Sequence, residues 1–416
     1  MAYHLTDFLI SLADAEKLKL FREDPERYMA ASRLSPQQKQ AVRNADRYRI
    51  SRYSAEEMEQ DSMHARLLLK IFTEYDPDGK ILNGDEIPVG VPDHDVDHDV
   101  DHDVDHNVDH DHNIVQTHDL GDDIAEFSAR YSSGYYYDHL FKNDSVKPGG
   151  HELVFIGTGI NGANHLSSEA VAHLANADRI LYCVADLAIE RRIQLLNKNT
   201  EDLYVFYGDD KPRRETYEQM VDRCLEVLKE HQHVCAVFYG HPGIFVWPSY
   251  KAIQLARREG HSAYMLPAVS SLDCLFADVG FDPSRYSCQI VEATDLLVRD
   301  RKPDIGASVV IFQVGCVGDL GYNSRGYDRR NVPVLADYLA SFYGSDYEVI
   351  LYEASQYPVC KPKIKKIPIS DLVAAKPSGI TTMYIPPKKL PEPDEAMLTR
   401  LGLKRPEFKE GSWRKA

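Results

Sequence analysis

Residues 152–167 read ELVFIGTGINGANHLS. An apolar run of strand length, Leu153 to Ile156, enters a turn in which Gly157, Gly159 and Gly162 fit GxGxxG, and a helical pattern follows. The same strand-then-helix alternation returns at DRILYCVAD, VCAVFYG and SAYMLP. Strands separated by helices predict a largely parallel sheet in an α/β domain. Later runs, SVVIFQVG, YEVILYEA and ITTMYIPP, predict a second sheet-containing half. The glycines are consistent with a dinucleotide site, for which Asp186 is the candidate acid, and equally with a tight strand-to-helix turn alone.

Upstream, residues 1–75 read as a small all-α bundle. Thr6 is placed to cap a helix carrying Phe8, Leu9 and Leu12, and Asp24-Pro25 sets a cap before a proline at the first helical position. Ser35-Pro36 repeats that device, with Gln38 completing a capping box; Ser54 and Glu57 offer another pair. Residues 76–148 hold few large apolar side chains before Phe127 and are expected to form a flexible tether. Within it, VPDHDVDHDVDHDVDHNVDHDHNIV repeats Asp, His and Val with a four-residue step, its regular part lying at about 93–115. Residues 396–416 form a C-terminal tail.

The chain has 416 residues, 43% hydrophobic, enough for at least one sizeable core. No apolar run approaches the roughly 18 residues of a membrane span, and the N-terminus lacks a signal-peptide pattern. The seven cysteines lie between Cys183 and Cys360 without CxxC spacing, which predicts reduced thiols, a cytoplasmic protein and no metal site among them. A net charge of −17 opposes nonspecific nucleic-acid binding, although nine of the acids are the aspartates from Asp93 to Asp111.

The segments VFYGHPGIFVWPSYKAIQLARREG and YMLPAVSSLDCLFADVGFDP, with the opening glycine turn, resemble the tetrapyrrole methylase superfamily of S-adenosylmethionine-dependent methyltransferases. His241 and Ala268 stand where that superfamily has the Asp of Gly-Asp-Pro and the Gly of Pro-Gly-Val-Ser-Ser, which loosens any inference of a tetrapyrrole substrate. Within it, LYVFYGDDKPRRETYEQM, FYGHPGIFV, MLPAVSS, FADVGFDP, EATDLLVR, IFQVG and TTMYIPP resemble the borosin peptide backbone α-N-methyltransferases over 149–395. The first fifty residues resemble the helical domain of borosin precursor peptides. The resemblance implies an α/β fold, a two-part tetrapyrrole-methylase-like methyltransferase domain, preceded by the helical bundle and the repeat segment. It also implies an enzyme fused to its own precursor. EFKEGSWRKA follows soon after TTMYIPP, so the core peptide is expected ahead of the enzyme, at the repeat.

From the same resemblance, Tyr207, Arg213 and Tyr217 match the catalytic set. Tyr239, His241, Ile244, Phe245, Ser270, Ser271, Gln313 and Thr382 match the cofactor-binding positions. His241 alternatively satisfies its own loop backbone. The reaction expected is iterative N-methylation of the repeat, in ribosomal peptide biosynthesis, with S-adenosylhomocysteine as product. The sulfonium supplies an activated methyl, so no metal is needed. An amide nitrogen is weakly acidic and delocalised into its carbonyl. Arg213 either favours an ionised phenol that accepts the amide proton or stabilises charge on the carbonyl oxygen. The expected methylated residues are Val96, Val100, Val104 and Val108, with Ile114 and Val115 outside the regular repeat. Lys211, Arg213 and Arg214 are candidate counter-charges for its aspartates. The partner is the protein's own core peptide, in cis or in trans within a homodimer, with a downstream protease and without nucleic acid or membrane. The alternatives are a small-molecule methyltransferase with a His/Asp metal-binding tract and a degenerate, metal-responsive binding module.

Overall fold

The computed structural model describes residues 4–69 and 150–403, except Leu67, Ala185, Asp210, 323–326 and Leu390. The repeat, with Val96, Val100, Val104, Val108, Ile114 and Val115, lies outside the described residues, as do the expected tether and most of the tail.

The chain divides into two units. The first takes residues up to Ser270 together with 320–326 and 356–360; the second takes 271–319, 327–355 and 361 onward.

The first unit holds a sheet of β1 (Glu152–Gly157), β2 (Arg179–Cys183), β3 (Thr200–Asp202), β4 (His233–Phe238) and β5 (Ser262–Met265), in the order β3-β2-β4-β1-β5. All its pairings are parallel, as the alternation with helices predicts. Strand side chains alternate faces. Leu153 and Phe155 of β1 with Val234, Ala236 and Phe238 of β4 therefore pack under the helices Arg213–Glu230 and Trp247–Glu259. Val154, Ile156, Cys235 and Val237 pack on the opposite face with Leu174, Ile189 and Ile193 of the helices Ser168–Asn176 and Leu187–Leu196. Burial on both faces explains the unbroken apolar strands.

The N-terminal helices are α1 (His4–Ser11), α2 (Ala15–Glu23), α3 (Pro25–Ala30), α4 (Pro36–Arg43) and α5 (Arg47–Met58). Asp24 caps α3 and the Ser35/Gln38 capping box starts α4, as predicted. Thr6 does not cap α1. It lies inside that helix, and the Glu57 carboxylate accepts from Leu5 N (2.7 Å), Thr6 N (3.1 Å) and Thr6 Oγ1 (3.0 Å). Ser54 is likewise buried inside α5, whose cap is Asp46. The bundle shares its core with the sheet unit. Leu5, Leu9, Met29 and Ile50 cluster with Ala188 and Tyr357, while Met58, Ala65 and Leu68 cluster with Leu187. Ser62 Oγ donates to the buried Glu190 carboxylate at 2.9 Å, and Tyr182 donates to its other oxygen at 3.0 Å.

The second unit's sheet runs β6-β7-β10-β8-β9, from β6 (Cys288–Glu292), β7 (Ser308–Phe312), β8 (Glu348–Glu353), β9 (Lys363–Pro368) and β10 (Thr382–Ile385). Only β6 and β7 pair in parallel; the other neighbours are antiparallel. Its core joins Val309, Ile311, Leu351 and Met383 to Leu335 and Leu339 of the helix Val332–Tyr343.

Candidate active site

Ligands of open α/β sheets bind beyond the carboxyl ends of the strands. In the first unit a cavity of about 210 Å³ lies there, beyond β2 and β4. Cys183, Val184 and Phe238 form its floor; Tyr204, Tyr207, Tyr217, Tyr239, Phe245, Val246 and Pro248 form its walls.

Backbone crowding fixes the floor. A Cβ on Gly157 would stand 2.2 Å from the Gly240 carbonyl oxygen and 2.7 Å from Pro242, so only glycine lets the ends of β1 and β4 approach. Gly159 and Gly240, both at positive φ, exchange backbone hydrogen bonds of 3.2 and 3.1 Å. The GxGxxG turn is filled by its own side chain. His165 Nδ1 accepts from the amides of Ile160 (3.3 Å) and Asn161 (3.2 Å). Those are amides that a pyrophosphate would take in a dinucleotide site. Burial pushes the His165 imidazole down, favouring the neutral form that this acceptor role requires. Asp186 is a buried cap for the helix Leu187–Leu196, donor Ile189 N at 3.0 Å, rather than a ribose ligand. The turn reading of these glycines therefore prevails.

The three residues expected to catalyse converge. YVFY is not a strand: Leu203–Phe206 forms a 3₁₀ turn that ends at Tyr207. Side chains three apart in such a turn share a face, and the rings of Tyr204 and Tyr207 lie 5.4 Å apart. Tyr207 and Tyr217 line the same cavity, and Tyr217 stands one helical turn beyond Arg213 on the helix Arg213–Glu230. Arg213 is anchored at both ends: its amide donates to Leu320 O (3.1 Å) and Nη2 donates to Gly321 O (2.9 Å). The neighbouring Tyr322 ring packs 4.7 Å from Tyr207. Burial pushes the Tyr207 phenol well above its ordinary range, and Cys183, Tyr217 and Tyr204 add to that; Arg213 opposes it without prevailing. Burial likewise pushes Tyr217 up against Arg213. Lys211 and Arg214 are engaged locally. Lys211 donates to Phe206 O (2.7 Å) and to Gln219, and Arg214 pairs with Glu218 at 3.0 Å.

The expected cofactor positions divide between the units. In the first, His241 Nδ1 accepts from Gly243 N at 2.9 Å, satisfying its own loop. Ile244 N donates to His241 O at 3.2 Å, closing the turn, and Ser270 is buried after β5. Phe245 holds φ +56° with its ring 47% exposed at the cavity wall. In the second, Ser271 begins the helix Ser271–Leu275 and Thr382 begins β10. Gln313, left-handed at φ +58°, leads into a turn where Gly315 meets the Pro377 and Ser378 carbonyls with no room for a Cβ.

Tyr204 is a wall residue that the sequence reading passed over, and its signal was the three-residue step to Tyr207. Its ring also stacks on His64, centroids 4.5 Å apart and planes within 6°. The N-terminal segment thus packs against a wall of this cavity.

Residues 152–357 match the tetrapyrrole (corrin/porphyrin) methylases, and residues 5–56 match the LigA subunit of the aromatic-ring-opening dioxygenase LigAB. A methyltransferase/ribosomally synthesized type III borosin cyclic peptide precursor of Anomoporia bombycina is 44% identical over 64% of this chain and 31% of its own. The methyltransferase/ribosomally synthesized cyclic peptide precursor of gymnopeptides in Gymnopus fusipes is 40% identical over 60% of this chain and 61% of its own. That of dendrothelin A in Dendrothele bispora is 42% identical over 58% and 59%. The chain thus spans less than two thirds of the length of each of these relatives. No helix among the described residues is long and apolar enough to cross a membrane. By these matches residues 152–357 carry a tetrapyrrole methylase domain, and the chain is similar over 58–64% of its length to borosin methyltransferase/precursor proteins.

Proposed function

We propose that the chain is an S-adenosylmethionine-dependent methyltransferase that iteratively N-methylates backbone amides of its own Asp-His-Val repeat. The observation that carries this reading is that Tyr207 and Tyr217 both line an aromatic cavity beyond the strand ends, with Arg213 at the start of the helix that carries Tyr217. The cavity fits a sulfonium cofactor in its chemistry. Tyrosine faces favour a cation, and Phe245 is held exposed where it can cover a planar ring. Tyr239, His241, Ile244, Phe245 and Ser270, all in the first unit, are the cofactor residues proposed for this cavity; Ser271, Gln313 and Thr382 are proposed from the family resemblance alone.

S-adenosylmethionine, when bound, supplies an electrophilic methyl group. The chain's residues must then orient the amide nitrogen and manage the charge that appears as its proton leaves. Tyr207, kept as a neutral phenol by burial, donates a hydrogen bond to the peptide carbonyl, where negative charge develops as the amide proton passes to water in step with methyl transfer. Tyr217 packs beside that phenol in the same cavity. Arg213, held by Leu320 and Gly321, sets a positive charge beside both.

Val96, Val100, Val104 and Val108 are the proposed acceptors. An extended peptide advances about 3.3 Å per residue, so each four-residue step returns the same side chain after roughly 13 Å. The proposed assembly is a cytoplasmic homodimer, acting in cis or in trans and served by a downstream protease. Its seven cysteines are free, as a reducing compartment requires. Light scattering at micromolar concentration should give twice the chain mass; a fully active monomer would exclude the dimer. The decisive experiment incubates the full chain with S-adenosylmethionine, then measures intact mass and fragments the peptide covering 85–120. Mass increments of one methyl on backbone nitrogens within 93–115 are expected. An unchanged mass, or methyl groups only on side chains, would remove the reading.

A further inference from the structure

Among the described residues, one group of three side chains brings metal-ligating atoms together: Glu152, His173 and His233. They meet at the start of β1 and β4, the end of the first sheet opposite the cavity. β1 and β4 pair Glu152 with His233, side by side. The helix Ser168–Asn176 packs on the same sheet and carries His173.

The backbone beneath the group is pinned. Asp178 Oδ2 accepts from the amides of Gln232 (3.0 Å) and His233 (2.9 Å), and Asp178 N donates to His233 O at 2.9 Å. His173 Nδ1 lies 3.3 Å from His233 Nε2, and His233 Nδ1 lies 3.3 Å from Glu152 Oε2. Glu152 Oε1 accepts from the Tyr264 hydroxyl at 3.1 Å, and the Tyr264 ring meets that of His173 edge-on, centroids 6.2 Å apart. Cys235 Sγ, 3.5 Å from His233 Nε2, lies outside the group.

One ligand atom from each of the three residues lies within 4.8 Å of the other two. Zinc at about 2.0–2.2 Å from nitrogen or oxygen needs tetrahedral edges of roughly 3.3–3.6 Å. The His233 and Glu152 side chains, 24% and 34% exposed, have room to turn through the remaining distance. The two imidazole nitrogens face each other, so one must present its lone pair, and protons on both would set like charges in contact. A divalent cation accepts both lone pairs and the carboxylate together. Two imidazoles and a carboxylate are also a donor set that zinc takes at open sites, where water fills the fourth place.

We propose that Glu152, His173 and His233 bind a zinc-class divalent transition metal through one atom each, with water in the fourth position and Tyr264 steadying the carboxylate. Such a metal ties the helix Ser168–Asn176 to β1 and β4. His233 starts β4 and Phe238 of the cavity floor ends it, roughly 16 Å along the strand, so the metal acts on stability rather than on methyl transfer. Sequence spacing did not show the site, because the ligands come from two strands and a helix, with 60 residues between His173 and His233.

The zinc-dependent stability of the chelator-stripped full chain tests the proposal, by urea denaturation with and without zinc in wild type, His173→Gln and Tyr264→Phe. The Asp-His-Val repeat also offers imidazoles, but it is the same in all three proteins, so its contribution cancels. Free zinc at about 100 times its dissociation constant should multiply the wild-type folding equilibrium constant by about 100. His173→Gln should lose that gain and bind one zinc fewer per chain by equilibrium dialysis. Tyr264→Phe keeps all three ligands and should weaken the site by about 10–100-fold. Circular dichroism would establish that both variants fold. No zinc-dependent gain in the wild-type chain, or the same gain in folded His173→Gln, would overturn the assignment.

Discussion

Asp186→Asn should stabilise the protein, and by an amount that depends on pH. Asp186 is 4% exposed; burial pushes its carboxyl from the ordinary 3.8 up to about 6, with Ile189 N and His64 opposing and Glu190 adding to the rise. The folded state therefore holds this proton more tightly than the unfolded state. Stability falls as pH rises from about 4 to about 6, and the full penalty persists above that. A gap of about two pH units corresponds to about 3 kcal/mol. Asparagine carries no charge and caps a helix about as well as aspartate, so the Ile189 hydrogen bond survives. Urea denaturation of the two proteins should show Asp186→Asn more stable by up to about 3 kcal/mol at pH 7.5 and by about half that at pH 5. Comparing the proteins at each pH cancels titrations elsewhere in the chain. Equal destabilisation at both pH values would refute the reasoning, as would a gain that ignores pH.

Tyr207→Phe and Arg213→Ala should fold normally but methylate about 10²–10⁴-fold more slowly, read as intact mass against time. With Tyr207 neutral, the wild-type methylation rate should show no tenfold rise per pH unit between about pH 7 and 9; a tyrosinate base would produce that slope. Leu9→Ala should destabilise the chain by about 2–5 kcal/mol. Because Leu9 clusters with Ala188 and Tyr357, calorimetry should show the sheet unit losing stability together with the helices.

The parallel sheet was legible because β1, β2 and β4 are buried on both faces and read as continuous apolar runs. The missed strands, β3, β6 and β9, have no such signature; in β6 only Val291 is buried. β3 spans three residues, Thr200–Asp202. β9 is the edge strand KIKKIP, where Lys363, Lys365 and Lys366 hide the strand pattern while blunting an exposed edge. The capping errors arose similarly. Thr6 and Ser54 have cap-forming side chains, but the group that satisfies the start of α1 is Glu57, fifty-one residues from Thr6. A local motif cannot show a cap brought by tertiary packing. Nor did helical periodicity show that the N-terminal segment shares its core with the helix Leu187–Leu196.

At the site, residue type was legible and environment was not. The aromatic and guanidinium groups of LYVFYGDDKPRRETY suggested a phenol made acidic by a nearby cation. That inference holds where solvent still stabilises the charged form. Here desolvation outweighs Arg213, because the cavity floor and the rings of Tyr204, Tyr217 and Tyr322 surround the Tyr207 phenol. The same burial that denies Tyr207 an easy proton loss strengthens each hydrogen bond it donates. A neutral donor in such a place is matched to the charge that forms on a peptide oxygen as its nitrogen gives up its proton. His64, stacked on Tyr204, extends the consequence to the N-terminal helices. Their packing backs Tyr204, one of the groups that push the Tyr207 phenol up, so the segment that precedes the repeat reaches the wall of the site proposed to act on it.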